Sequence, residues 1–270
     1  MRIAAVGGDA RTGYAAAILR ERGHEVSVSA FGELPLSPTA LAEAEAVLLP
    51  HPLTRDGRHL FAPLSPLPVA LDALLPLLPP GAPLFCGRQD ALPPSLLRDH
   101  PPLSYGMRED YLMRNAAITA EGALSLLMAR LPTALTETPC LILGSGRLAR
   151  ALYADLVGLQ APVTAFARST APWTPYPAPL PLSALPAEIG RFPILINTVP
   201  VRLLTPALLC RAAHRATVLE LSAVPDVISP EEVRRAELEL ITAPGLPGRY
   251  APESAGRAIA DAVTAILADR

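Results

Sequence analysis

The stretch PCLILGSGRLA, from Pro139 to Ala149, constrains the fold of this chain more than any other. Four mostly apolar residues run straight into Gly144-Ser145-Gly146, and Ala149 completes the spacing G-x-G-x-x-A. The apolar run reads as a buried strand over residues 140–143, and residues 147–159 read as a helix. The first glycine permits a tight turn, the second lets a ligand approach the backbone, and the small third residue lets helix pack closely on strand. The helix N-terminus adds free N–H groups and partial positive charge. Gly144, Ser145, Gly146, Arg147 and Leu148 are therefore the expected contacts of a dinucleotide pyrophosphate.

The next strand, residues 163–166, runs into Arg168-Ser169-Thr170. A carboxylate at this place holds the ribose 2′-OH of NAD. Here an arginine and two hydroxyls stand instead, which suits the 2′-phosphate of NADP; the alternative is a solvated loop arginine. Asn197-Thr198-Val199-Pro200 ends the strand at 194–197, where such units face the nicotinamide ribose. Asn197, Thr198 and Pro200 are read as cofactor contacts, or else as a plain strand-terminating turn.

The same alternation occurs earlier. Strands are expected at residues 3–6, 24–30, 46–50 and 82–87, with a helix at 12–22. Tyr111 opens the longest helical pattern, residues 111–131. Further strands are expected at 216–221 and 239–242, a proline-rich loop at 173–186, a helix carrying His214, and a final amphipathic helix at 252–268. The reading is an α/β chain of two Rossmann-like parallel-sheet domains with an inter-domain cleft, linked by a long helix and a returning C-terminal helix. The boundaries are residues 1–112 plus 250–270 for a substrate and dimer domain, 113–131 for the linking helix, and 132–249 for the NADP-binding domain.

Composition excludes several classes. Among 270 residues the formal net charge is −2, without the basic block that nucleic acid or a membrane surface would demand. The longest apolar stretch is broken by prolines, of which there are 32, so no membrane span is expected. No signal peptide is read. The 3 cysteines are far apart, which gives no metal site and suits a reduced, cytoplasmic protein. All 23 basic side chains other than histidine are arginine, so no lysine Schiff base or lysine general base is available.

The first-half turn, Gly7-Gly8-Asp9-Ala10-Arg11, differs in chemistry. It breaks the G-x-G-x-x-G pattern, and Asp9 would repel a pyrophosphate; Asp9 is an N-cap candidate. Arg11, in the first helical turn, is placed to reach a carboxylate, or to make a surface ion pair.

Taken in order, these motifs resemble the A subunit of dipicolinate synthase. The resemblance rests on Gly-Gly-Asp-x-Arg after the first strand, Arg108-Glu109-Asp110 before Asn115, and Thr119-x-Glu121-Gly122. It continues through G-x-G-x-x-A, Ala-Arg-Ser, Asn197-Thr198-x-Pro200, and Ala243 through Gly248, followed by Ala251-Pro252 and Ala255-Gly256. It is weakest over residues 35–102. Leu221 through Asp226 departs from a Ser-Arg-Pro-like segment, and Arg249 stands where an apolar residue is expected. The resemblance implies an NADP-dependent dehydrogenation and aromatisation of 4-hydroxy-tetrahydrodipicolinate to dipicolinate. It also implies a partner, the B subunit of dipicolinate synthase, and the mother-cell cytoplasm of a sporulating bacterium; a homo-oligomer is expected.

A dicarboxylate substrate requires arginine. Arg11 is the first candidate and Arg249 the second, with Asp9 and Asn115 beside them. Glu121 on the long helix is a candidate to take the ring proton, with Thr119 orienting the substrate; a helix salt bridge is the plain alternative for Glu121. His51, at the end of a strand, is a candidate base or an incidental loop histidine. Arg108 and Asp110 are expected to pair or to cap the helix. The loop 244–248, with Pro244 and Gly245, would wall the nicotinamide. Two other readings remain: a related NADP dehydrogenase of another small carboxylic acid, and a regulatory or non-self-sufficient NADP-binding subunit.

Overall fold

The computed structural model describes residues 1–222, 224 and 227–269, with Ala91 and Ser95 as backbone only. Ala223, Pro225 and Asp226, from the segment that departs from the family pattern, therefore lie outside the described residues. The chain divides into two compact units: Met1–Asn115 with Pro247–Arg270, and Ala116–Leu246.

Unit 1 begins with β1 (Arg2–Val6), α1 (Ala10–Glu21), β2 (Glu25–Ser29), α2 (Pro38–Ala42), β3 (Ala46–Leu48), α3 (Leu71–Leu74), β4 (Leu84–Cys86), α4 (Pro94–Asp99) and β5 (Pro102–Ser104). All pairings are parallel, in the order β2-β1-β3-β4-β5. β3 and β4 are buried throughout, as strands covered on both faces must be. The long helix α5 (Glu109–Arg130) starts in this unit and continues into the next. Its start is fixed by Asp110, which accepts the Tyr111 N–H at 2.7 Å and pairs with Arg108 at 3.2 Å.

Unit 2 continues with β6 (Cys140–Leu143), α6 (Arg147–Gly158), β7 (Val163–Ala167), β8 (Leu180–Pro181), α7 (Leu185–Glu188), β9 (Ile194–Asn197), α8 (Pro206–Leu209), β10 (Thr217–Glu220), α9 (Pro230–Arg235) and β11 (Glu239–Thr242). Its sheet runs β11-β10-β9-β6-β7-β8, again all parallel. Counted within the unit this is the doubly wound order 3-2-1-4-5-6 of dinucleotide-binding domains. Ala120, Ala123, Leu124 and Leu127 of α5 pack into the core on one face of this sheet, with Leu152 and Leu156 of α6.

The chain then returns to unit 1 through α10 (Leu246–Tyr250) and α11 (Pro252–Ala268). Ala258, Ile259, Ala262 and Val263 of α11 join Ala15, Ala16, Ile18 and Leu19 of α1 in one buried cluster. Gly256 makes the contact close: a Cβ there would fall 2.7 Å from the Arg11 carbonyl oxygen. No helix among the described residues is long and apolar enough to cross a membrane.

Three local expectations are corrected. Residues 244–248 are not all loop, because α10 begins at Leu246. The proline-rich stretch 173–186 contains β8 and the start of α7. His214 lies in a turn, since α8 ends at Leu209.

Candidate functional site

In open parallel sheets, ligands bind beyond the strand C-termini where the strand order reverses. Each unit has one such point: between β6 and β9 in unit 2, and between β1 and β3 in unit 1.

In unit 2 the point is occupied by the G-x-G-x-x-A turn. Gly144 has φ +122°, a backbone that L side chains rarely adopt, and a Cβ there would lie 2.4 Å from Thr198 Oγ1. Its N–H donates to Phe166 O at 2.9 Å, tying the turn to β7. The Thr198 hydroxyl donates to Leu143 O at 2.7 Å, which ties the β9 end to β6. Thr198 thus holds the turn in shape. Gly146 is the exposed N-cap of the 12-residue helix α6, with no side chain capping it and no acid in the first turn. A Cβ on Gly146 would meet nothing within 4 Å. A tight turn with glycine on either side of a small serine, leading to an uncapped helix N-terminus, fits the phosphates of a dinucleotide. Ser145 and Leu148 are half-buried beside it, and Arg147 is exposed.

Arg168, Ser169 and Thr170 are exposed at the end of β7, and Arg168 makes no ion pair among the described residues. Arg150, which sequence reading passed over, reaches back toward Ser145 O at 3.4 Å and lies over the Trp173 ring at 5.5 Å. Asn197 is 1% exposed and its amide is engaged internally. Nδ2 donates to Glu220 Oε2 at 2.8 Å and Val199 O at 3.2 Å, while Oδ1 accepts from Val199 N at 3.3 Å. Glu220, also passed over, accepts from Ser222 N at 2.6 Å. Asn197 therefore binds the ends of β9 and β10 together, and Pro200, Pro244 and Gly245 are exposed. Thr119 is half-buried on α5. Glu121 is exposed; the Asp155 carboxyl on α6 is pushed up, by burial first and then by the charge of Glu121. Asp155 stands about 12 Å along α6 from its first residue.

In unit 1 the point is a tightly closed crevice, without room for a water molecule, lined by Gly8, Asp9, Arg11, Thr12, Pro50 and His51, with Phe61 and Ile259. Gly8 has φ +87°, and a Cβ there would fall 2.0 Å from Thr12 Oγ1. Asp9 is both the N-cap of α1 and the partner of Arg11. Its Oδ1 accepts the Arg11 N–H at 3.1 Å and Nε–H at 2.8 Å, and its Oδ2 accepts from Nη2 at 2.9 Å. Arg11 Nη2 also donates to His51 O at 2.7 Å. The carboxylate that Arg11 reaches is thus the protein's own. Burial acts to lower its pKa, but the Asp9 bonds and charge outweigh this and leave it raised. On α10, Gly248 lies against this pair: a Cβ there would be 2.7 Å from Asp9 Oδ2. Arg249 beside it is exposed, and Asn115 on α5 is half-buried.

The His51 ring lies over Gly87, where a Cβ would fall 2.2 Å from Nδ1. Burial first, then the charges of Arg11 and Arg88, lower its pKa from 6.5 to about 4, so the imidazole is neutral near pH 7. The unfolded chain takes up this proton near 6.5 and the fold only near 4. Between these values the unfolded state binds more protons, so stability falls as pH is lowered through that window. The wild-type melting temperature is expected to drop more than that of His51→Gln between the two values. Parallel melting curves would show that His51 is not held neutral.

Residues 2–93 match the family model for the N-terminal domain of the dipicolinate synthase A subunit. The chain is 26% identical over 166 residues to the A subunit of dipicolinate synthase from Bacillus subtilis (strain 168), covering 60% of this chain and 56% of that protein. The aligned part therefore spans little more than half of that relative's length. The crystal structure of the dipicolinate synthase A subunit from Bacillus halodurans superposes with a TM-score of 0.89 at 21% identity, over 99% of this chain and 98% of that one. A D-isomer-specific 2-hydroxyacid dehydrogenase from Lactobacillus delbrueckii ssp. bulgaricus, in its NAD-complexed form, shares the fold more distantly. Its TM-score is 0.59 at 10% identity, over 99% of this chain and 98% of that one.

Proposed function

We propose that the chain belongs to the dipicolinate synthase A-subunit family and is an NADP-dependent dehydrogenase that forms dipicolinate. The observation that carries this reading is the uncapped glycine turn at the switch point of unit 2, followed one strand later by Arg168 in place of an acid.

The substrate in this reading is 4-hydroxy-tetrahydrodipicolinate. It loses its hydroxyl as water, then one hydride and one proton, which leaves an aromatic pyridine dicarboxylate. Bound NADP supplies the hydride acceptor. Gly144 through Leu148 would hold the pyrophosphate, and Arg168, Ser169 and Thr170 would hold the 2′-phosphate by charge-assisted hydrogen bonds. Thr198 and Pro200, with Pro244 and Gly245, would shape the wall beside the nicotinamide, and buried Asn197 would hold that wall from behind. In unit 1, Asp9 and Arg11 form the polar floor of the substrate crevice, and Arg249 offers an exposed guanidinium. His51 Nε2 or Nδ1 takes the ring proton. It is neutral beforehand, and a dianionic ligand beside it raises its affinity for that proton. Thr119 and Asn115 orient the substrate, and Glu121 is a second candidate base. The B subunit of dipicolinate synthase is the partner, copies of this chain associate with one another, and the setting is the cytoplasm of a sporulating mother cell.

A second reading, in which the chain needs its partner for catalysis, is favoured by one observation. Among the described residues lining the unit 1 crevice, His51 is the one imidazole, and burial and neighbouring arginines lower its pKa to about 4, which makes it a weak base by itself. Purified chain, with and without the B subunit, is to be supplied with NADP and freshly made dihydrodipicolinate synthase product, and nicotinamide reduction followed by absorbance. Turnover by the chain alone is expected; turnover only with the partner favours the second reading, and none in either case sinks both. Arg168→Glu is expected to weaken NADP roughly 10–100-fold, the scale of a lost charged hydrogen bond plus repulsion, and to leave NAD nearly unchanged. Equal losses for both nucleotides would remove Arg168 from the 2′-phosphate site.

A further inference from the structure

We propose that Arg55 is the guanidinium that receives a substrate carboxylate at the unit 1 crevice. This rests on the reading that unit 1 binds a dicarboxylate.

A guanidinium grips an incoming carboxylate best when its fork of N–H groups is free. Arg11 fails this condition. Nε and Nη2 are spent on both oxygens of Asp9, Nη2 also serves His51 O, and the residue is 8% exposed. Gly248 lies against it, with a Cβ position 2.8 Å from Nε. Arg88, whose charge is felt by His51, is tied to its own carboxylate: Nε donates to Asp90 Oδ1 at 2.9 Å. With both arginines matched by acids and His51 neutral, these groups sum to no net charge. A dianion needs further cations; Arg249, exposed on α10, is one, and a second stands on the loop before Phe61.

Arg55 is this second cation. It is exposed, and no carboxylate pairs with it among the described residues. Its guanidinium carbon stands 4.4 Å from the centroid of the Phe61 ring. Phe61 belongs to the crevice: it lines the cavity with His51 and Arg11, and its carbonyl accepts the Gly8 N–H at 2.7 Å. This cation–π contact holds the guanidinium against the Phe61 ring and leaves N–H groups for an anion.

The loop that carries Arg55 is built rather than slack. Leu53 and Leu60 are buried at its two ends, and Phe61 N donates to Leu53 O at 2.7 Å. Asp56, next to Arg55, does not pair with it. Its Oδ1 accepts from Arg58 N at 2.9 Å and His59 N at 2.8 Å, and its Oδ2 lies 2.7 Å from the His59 ring nitrogen. The Thr54 hydroxyl donates to Oδ1 at 3.1 Å and accepts from Gly57 N at 3.0 Å. The acid that neighbours Arg55 in sequence is thus consumed in holding the turn, and Arg55 is left preorganised and uncompensated.

The test is calorimetric titration of the full chain with pyridine-2,6-dicarboxylate, with and without NADP, for wild type, Arg55→Gln and Arg55→Lys. Arg55→Gln is expected to weaken binding roughly 10–100-fold, with Arg55→Lys between it and wild type. Nucleotide affinity and melting temperature are expected to stay unchanged in both variants. Wild type binding the dicarboxylate with Arg55→Gln binding it equally well overturns the proposal and leaves the functional reading standing. Wild type failing to bind it at all overturns both.

Discussion

Asp9→Ala is expected to destabilise unit 1 by about 3–5 kcal/mol, the usual cost of stranding one half of a buried ion pair. Arg11 has 8% of its surface exposed and spends three of its N–H bonds, counting the backbone, on this carboxylate. Removing the acid leaves a guanidinium sealed under α10 without its counter-charge, and also removes the N-cap of α1. In scanning calorimetry the transition of unit 1 is expected to fall by roughly 10 °C or more. The double variant Asp9→Ala/Arg11→Met separates charge from packing. Replacing both partners removes the stranded charge, so much of the loss is expected to return. A shift of under about 2 °C for the single variant would mean that water reaches Arg11 and the pair is a surface one.

The second large effect is expected at the nucleotide turn, where two glycines two residues apart should respond differently. Gly144→Ala places a side chain at φ +122° and 2.4 Å from Thr198 Oγ1. The strain is about 1–3 kcal/mol, and the turn relieves it by moving the N–H groups that would meet the phosphates. Thr198 must also give up its bond to Leu143 O. NADP affinity is expected to fall roughly 10–100-fold, together with the melting temperature. Gly146→Ala adds a methyl group that meets nothing in the protein, so the melting temperature is expected to hold. Its NADP affinity is nevertheless expected to fall, because the methyl group occupies the ligand's line of approach. Unchanged affinity in Gly146→Ala would show that phosphates do not lie on this turn.

The elements legible in the sequence were those made of continuous apolar runs. Cys140–Leu143 and Ile194–Asn197 are buried on both faces of a parallel sheet, which is what such runs record. β5 escaped because Pro102, Leu103 and Ser104 are each only half-buried at a sheet edge. α2, α3, α4, α7, α8 and α9 have 4 to 6 residues, too few to display a helical period. The two glycine turns were legible because their spacing is local. What surrounds them was not. The seat of His51 over Gly87, the contact of Gly248 with Asp9 and the tie from Asn197 to Glu220 join residues 23 to 239 positions apart, and only the register of the sheets and the return of the chain bring them together. Arg11 was legible as a carboxylate-binding residue. The sequence pattern did not disclose that the carboxylate sits two residues before it.

Unit 1 is made of two stretches with the whole of unit 2 between them. The consequence is one of timing. On the ribosome, unit 2 is continuous and emerges complete while α1 still waits for α11, with Ala15, Ala16, Ile18 and Leu19 uncovered. A chain halted before Pro247 would carry its glycine turn but lack Gly248 over the Asp9–Arg11 pair and Gly256 under α1. The crevice of unit 1 is therefore the last part of the molecule to be born. Unfinished copies carry a completed unit 2 beside a bare apolar helix, which hands them to the cell's quality control.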